Sequence, residues 1–498
     1  MMEVEVRHHS VLLTRSEGKY TAIGNQCTHY GAPLSKGVIT GQTVRCPWHG
    51  ACFNALTGDL EEYPGIDGLP CHKVQTRDRH THTHTHTHTH THTDIYLIRT
   101  FAVILICLSL LKVKIQNSKV YVSINKKVSS AGAASLICAE ILRQENFGGR
   151  IILATRDELL PYDKTRLSKS DTILLRKREF YHQYDIEVWL RKEFIASKQN
   201  HAWSFRAKPL DVPGMNLDNV KMLETPEDAR KIHEACMGTN VALVGTSFVG
   251  MEIASYLIDK ASSITVIGSS ELPYQNTLGS EIGRAIMKIL LEKNVKFHMS
   301  DHVTEIKGVD GKVKEVMLRS GKIVPADIVV VGIGSKPNSE FLRGSKIQMD
   351  PKNFVTVDKY MRTNVPGVFC AGDVATFPLA MAKDRMVNIG HWQMAQAHGR
   401  IAALNMLQKQ TELNSVPFYW TILLGATIRY AGCGEGYTDI VIKGKFEDMK
   451  FLALYIKDDE VVAAASLNFD PAVSAVAERL VAGKAITKKE AEYVRSVT

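Results

Sequence analysis

Cys27-Thr28-His29 is followed, after sixteen residues, by Cys46-Pro47-Trp48-His49, and each half of this pattern supplies one thiol and one imidazole. Both halves lie in stretches rich in turn formers, His29-Tyr30-Gly31-Ala32-Pro33 and Pro47-Trp48-His49-Gly50, as two loops that close around a shared centre require. Structural zinc sites built from two Cys and two His commonly take a Cys pair and then a His pair. Here the two residue types alternate, although zinc stays open as the rival occupant.

The C-x-H…C-x-x-H set is that of a Rieske [2Fe–2S] centre, in which one iron takes two thiolates and the other two imidazoles. Cys27, His29, Cys46 and His49 are therefore the expected metal ligands. The imidazoles raise the potential above that of an all-Cys cluster. Ala32 stands where high-potential members carry the first of an extra Cys pair. The expectation is the lower part of a range of roughly −150 to +300 mV.

A chain of 498 residues has room for several domains. Its formal net charge of +9 is spread without a basic run or interleaved aromatics, so no nucleic-acid partner is expected. Nine Cys at irregular spacing and no signal peptide at Met1-Met2-Glu3-Val4 fit a reducing, cytoplasmic setting, with mitochondria as the alternative. The apolar stretch Phe101 to Leu111 falls short of the ~18 residues of a membrane span.

From His80 to Thr93, Thr and His alternate strictly. The pattern would place every His on one face of a strand, a metal-binding reading. It is also what a translated (AC)n repeat yields, and residues 75–112 read as a retained intron, disordered or poorly packed. Removing them joins Leu69–Val74 to Val113–Val122 as the closing hairpin of a small β domain, around an Asn-Ser turn.

Further on, Asn240–Val244 reads as a buried strand. It runs into Gly245-Thr246-Ser247-Phe248-Val249-Gly250, then a helix, then a second strand, Ser263–Ile267. This is the β–turn–α–β context of a dinucleotide fingerprint, with pyrophosphate on the helix N-terminus. Gly245, Ser247, Gly250 and Glu252 are assigned to the cofactor. No acid ends the second strand, and Glu271 comes late, so NADH against NADPH stays open. A second unit is implied upstream by the helix from Ala131 and Gly132 to Arg143, the strand Arg150–Ala154 and Asp157. Downstream, Val365–Ala371 runs into Gly372-Asp373.

Together these motifs resemble the apoptosis-inducing-factor-like flavoproteins with an N-terminal Rieske domain, within the FAD-dependent pyridine nucleotide–disulphide oxidoreductases of ferredoxin-reductase type. The resemblance rests on CTHYGAPLSKG (27–37), CPWHGACFN (46–54), LPYDKTRLSK (160–169), GTSFVGMEIA (245–254), VPGVFCAGDVATFP (365–378) and HWQMAQAHGRIAA (391–403). It implies an N-terminal all-β Rieske domain (1–74 plus 113–124) and an insert (75–112). An FAD domain in two parts (125–234 and 336–405) flanks an NAD(P)H domain (235–335), and a small α+β domain (406–498) follows. The nucleotide domains are Rossmann-like, of three-layer ββα type.

It further implies that Lys169 stabilises the reduced flavin and that Trp392 packs on the ring. Gly132, Asp157, Arg166, Gly334, Gly372, Asp373 and Val374 would contact the cofactors, and Trp420 would add an aromatic wall. The function implied is transfer of electrons from NAD(P)H through FAD to the Rieske cluster and on to an unnamed acceptor, by a chain that can form a homodimer and is linked to cell death. Two alternatives stand beside it. One is a non-catalytic cell-death scaffold. The other is the terminal component of a Rieske oxygenase, which needs a mononuclear iron site.

The chain departs from the family in two places. Ser130 replaces the opening glycine, with no room for a first strand before it. No Ala-Thr-Gly turn precedes Val212-Pro213-Gly214. Missing exons or a degraded FAD site account for both.

Overall fold

The computed structural model describes residues 1–6, 9–16, 19–77, 80–84, 114–116, 119–121, 131–154, 158–163, 174–190, 206–337, 339 and 342–493. The N-terminal domain holds two antiparallel sheets. One has five strands in the order Met2–Val6, His9–Ser16, Lys19–Gly24, Cys71–Arg77, His80–His84. The other is a meander of Val38–Thr40, Thr43–Arg45, Cys52–Asn54 and Leu60–Glu62. Leu12, Ile23, Leu34, Val44 and Phe53 close its core, together with Cys27 and Cys46.

The repeat differs from expectation at its near end. His80–His84 is a strand, paired with Cys71–Arg77 in the register Lys73↔His84 to Arg77↔His80. Strict alternation has the period of a strand and Thr is β-branched, so the segment suits an open sheet edge. The remainder, residues 85–113, lies outside the described residues. Of the expected closing hairpin, Lys114–Gln116 and Lys119–Tyr121 pair antiparallel as a separate two-stranded sheet, and Asn117-Ser118 lies outside the described residues.

The NAD(P)H-type unit has five parallel strands in the order Val220–Met222, Ile328–Val331, Asn240–Val244, Ser263–Ile267, Lys296–His298. Strands buried on both faces need apolar residues throughout, and Ile328–Val331 is buried at every position. One face is covered by helices including Phe248–Leu257 and Gln275–Glu292. The other is covered by the antiparallel meander Val303–Val309, Lys312–Leu318, Ile323–Pro325. This is the three-layer ββα arrangement.

The flavin-side core joins the helices Ala131–Gln144 and Trp392–Met406, the parallel pair Ile151–Ala154 and Ile186–Trp189, and the strands Val355–Thr356 and Ala375–Leu379. Tyr63 of the N-terminal domain is buried in the same core. Both expected departures, before Ser130 and at Asn200–Phe205, lie outside the described residues.

The C-terminal sheet is antiparallel, in the order Phe418–Leu423, Ala426–Gly432, Glu460–Leu467, Lys450–Lys457, Asp439–Lys445. One face packs on helix Ala472–Val481. The other packs on the nucleotide unit, where Ile428, Tyr430 and Phe451 share a core with Leu278 and Ile286.

Candidate functional site

Two loops bring the four metal-ligand candidates together. The amide of Cys27 donates to Ala32 O (2.9 Å), and that of Cys46 to Ala51 O (2.8 Å). His29 Nδ1 and His49 Nδ1 lie 3.0 Å apart, with the residues 5% and 8% exposed. The thiols of Cys27 and Cys46 are buried, unbridged and within hydrogen-bond reach of each other. The bond to Cys46, and then burial, raises Cys27 well above the ordinary thiol range. Burial opposes charge on Cys46, yet the bond from Cys27 and the amides of His49 and Trp48 bring it below that range.

His49 is pushed down to about 3 by burial and by the charges of Arg429 and His391, which leaves the neutral imidazole that metals require. Among the described residues no three His, Cys, Asp or Glu converge on a single ion. The four candidates form a thiol pair and an imidazole pair, which fits two irons with unlike ligands.

The imidazole pair faces the C-terminal domain. The ring of Trp420 lies 4.2 Å from that of His49, tilted by 39°, and 5.4 Å from His29. His391 meets Trp420 edge-on at 5.2 Å and Tyr419 at 5.3 Å. Tyr419 in turn meets Phe248, at the start of the nucleotide-motif helix, at 6.3 Å. A line of rings thus runs from the ligand loops to the nucleotide unit. Gly50 permits the docking, since a Cβ there would lie 2.5 Å from the Phe418 ring.

His391 was not among the expected site residues. It caps the helix Trp392–Met406, accepting from the Gln393 amide through Nδ1 (3.3 Å). Its only sequence signal is its place immediately before that helix. Trp392 is buried in the first turn, and the side chain that joins the ring line is its neighbour.

On the flavin side, Gly372, Asp373 and Val374 form a tight segment. The Gly372 amide donates to His398 Nδ1 (3.2 Å), and Asn388 Nδ2 donates to Asp373 O (2.5 Å). Gly132 stands in the first turn of Ala131–Gln144. Asp157, Arg166 and Lys169 lie outside the described residues.

In the nucleotide unit Gly245 has φ +121°, and a Cβ on Gly250 would lie 2.0 Å from Gly245 O. Turn and helix therefore touch backbone to backbone, leaving the helix amides open to an anion. Ser247 is the exposed N-cap, its side chain making no capping bond. Gly334 follows the strand Ile328–Val331 and accepts from the Lys208 amide (2.8 Å). Glu252 accepts from Thr421 Oγ1 (2.7 Å), so its carboxylate ties the motif helix to the Trp420 strand.

Residues 1–73 match the model of the Rieske [2Fe-2S] domain, 202–399 that of pyridine nucleotide-disulphide oxidoreductase, and 418–493 that of the reductase C-terminal domain. The chain is 45% identical to Apoptosis-inducing factor 3 of Homo sapiens, over 99% of this chain and 83% of that protein. It belongs to the apoptosis-inducing-factor-like flavoproteins. Rhodocoxin reductase of Rhodococcus erythropolis is 26% identical over 68% of this chain and 86% of its own. Two solved structures share the fold. The ferredoxin reductase of the CYP199A2 system of Rhodopseudomonas palustris has TM-score 0.67 at 23% identity, over 74% of this chain and 97% of that one. The covalent putidaredoxin reductase–putidaredoxin complex has TM-score 0.68 at 20% identity, over 75% and 96%.

The family member described here is an NAD(P)H-dependent flavoprotein oxidoreductase of ferredoxin-reductase type, with FAD, NAD(P)H and a Rieske [2Fe–2S] cluster as cofactors. Among the described residues no helix is long and apolar enough to cross a membrane.

Proposed function

We propose that the chain is a reductase fused to its own electron acceptor, carrying electrons from NAD(P)H to its Rieske domain and then to an external acceptor. FAD supplies the conversion of a two-electron hydride donor into single electrons. Cys27, Cys46, His29 and His49 hold the cluster. Gly132, Gly372, Asp373 and Val374 hold FAD, with Asp157, Arg166 and Lys169 assigned to the same site. Gly245, Ser247, Gly250, Glu252 and Gly334 hold the nicotinamide dinucleotide.

The observation that carries this reading is the seating of the His29–His49 pair on Trp420, whose ring in turn meets His391 at the N-terminus of a flavin-side helix. A putidaredoxin reductase has been captured with a separate putidaredoxin. In this chain we assign the carrier's part to the N-terminal domain.

The compartment we assign is the cytoplasm, a reducing setting in keeping with eight described cysteines, none of which is in a disulfide. A homodimer through the C-terminal domain belongs to the same proposal. Phe418–Leu423 is that domain's edge strand and carries the exposed Ile422.

The test is an anaerobic absorption spectrum of the purified chain before and after NADH. Flavin and Rieske bands that both bleach support the proposal. A cluster that stays oxidised while flavin bleaches refutes it.

A further inference from the structure

In the nucleotide unit the strand Ser263–Ile267 lies beside Asn240–Val244, the strand that leads into the glycine turn, and runs out into Gly268-Ser269-Ser270. In dinucleotide folds the end of this second strand meets the adenosine ribose, and a carboxylate there takes the 2′-hydroxyl. The same carboxylate repels a 2′-phosphate, so it selects NADH by rejecting NADPH.

Packing keeps an acid out of this place. A Cβ on Gly268 would lie 2.4 Å from Thr246 Cγ2 and 3.1 Å from Thr246 Oγ1. Thr246 directly follows Gly245 in the glycine turn, so its side chain stands where the stem of an acidic residue would begin. The backbone is pinned around it. The Gly268 amide donates to His298 O (2.9 Å), that of Asp301 to Gly268 O (3.0 Å), that of Ser300 to Ser270 O (2.9 Å) and that of Tyr274 to Thr246 O (2.8 Å).

The acids beside this corner do not replace the missing one. Asp301 is buried, and its carboxylate accepts from the amides of His302 (2.9 Å) and Ser320 (3.2 Å). Glu271 is exposed and lies past the Ser300–Ser270 tie, its amide donating to Gln275 Oε1 (3.1 Å). A cation is close as well. Burial, and then the charge of Lys322, hold His298 below its ordinary range, with Asp301 acting against them.

We propose that this chain takes NADPH with an affinity comparable to that for NADH, because Thr246 and Gly268 leave the 2′ position of the adenosine ribose without a carboxylate. A 2′-phosphate meets the hydroxyl side chains Thr246, Ser269 and Ser270 there. The inference rests on the reading that the Gly245–Gly250 turn holds the dinucleotide.

The test is calorimetric titration of the purified, cofactor-loaded chain with NAD+ and with NADP+. Dissociation constants within about tenfold of each other, or a tighter one for NADP+, support the proposal. NAD+ binding with NADP+ weaker by more than about tenfold overturns it and leaves the nucleotide reading standing. Binding of neither overturns the nucleotide reading, and the inference falls with it. Thr246→Gly combined with Gly268→Glu opens the space and installs the carboxylate. The ratio of NADP+ to NAD+ affinity is then expected to drop by about tenfold or more, the worth of a hydrogen bond to a charged group. A ratio that does not move overturns the proposal. The comparison in the unmutated protein decides it whatever the folding of the double variant.

Discussion

The rings of His49 and Trp420 are 4.2 Å apart although 371 positions separate them in the chain. The contact joins a cluster ligand candidate to the edge strand of a different domain. Trp420 also meets His391, so it stands between the ligand loops and the flavin-side helix.

Replacing Trp420 by Leu removes the ring that fills this gap while leaving an apolar side chain on the strand. Flavin reduction by NADH is expected to keep its rate. Cluster reduction is expected to fall by roughly tenfold or more, about 1.4 kcal/mol of barrier. Anaerobic stopped-flow at separate flavin and cluster wavelengths checks both steps. Equal slowing of both would show that Trp420 serves the whole domain rather than the second step.

Glycine contacts in the nucleotide motif give a second prediction. In Gly250→Ala the added methyl meets the Gly245 carbonyl oxygen, and overpacking of this kind costs about 1–3 kcal/mol. The helix is forced off the turn, and its amides no longer converge on the pyrophosphate. NADH affinity is expected to fall about tenfold, read by titration of the purified protein, with the cluster spectrum unchanged.

The parts of this site that were legible in the sequence are local ones. Cys27, His29, Cys46 and His49 stand out because ligand spacing is a short-range constraint. Gly245 and Gly250 stand out because a tight turn and a close helix allow no side chain. His391 was not legible, since its role comes from packing against a strand near residue 420. The Arg45–Glu478 pair spans 433 positions, and periodicity carries no information about such a partner. Glu252, assigned from its motif to the cofactor, also accepts from Thr421, a partner that periodicity does not announce either. His80–His84 is the opposite case. Its origin as a repeat argued against structure, yet alternation alone suffices to pair with an open edge.

Acid sensitivity follows from His398. Burial pushes it down to about 3, with the Gly372 amide at Nδ1. In the unfolded chain it titrates near 6.5. Between these values the unfolded state binds the extra proton, so stability falls as pH drops from about 6.5 to 3, by about 1.4 kcal/mol per unit for this one group. Below the folded value the loss is complete and the dependence levels off. His398→Gln keeps an acceptor for Gly372 and removes the titration. Urea midpoints of the variant are expected to show a shallower acid limb by one proton, and an unchanged slope would mean that His398 is protonated in the native fold.

The ion-pair clamp beside the ligand loop, Arg45 with Glu62 and Glu478, yields the last prediction. Burial works against the charge on Arg45, but Cys52, Glu62 and Glu478 outweigh it and hold the guanidinium above its ordinary range. Breaking a buried pair from one side costs about 3–5 kcal/mol. Glu478→Ala leaves Arg45 one carboxylate, Glu62, so the lower end applies. Arg45→Met strands two carboxylates and is expected to cost more. Arg45→Met with Glu478→Leu and Glu62→Gln removes all three charges and is expected to recover most of the loss, because the penalty lies in the uncompensated charge and not in the missing bonds. Chemical denaturation ranks the three proteins. Limited proteolysis adds a separate readout: in Glu478→Ala the strand Thr43–Arg45, which leads into the ligand loop, loses its tie to helix Ala472–Val481, and the N-terminal domain is expected to be released sooner than in the unmutated chain. A triple variant less stable than Glu478→Ala would show that the clamp stabilises through its hydrogen bonds, with charge compensation secondary.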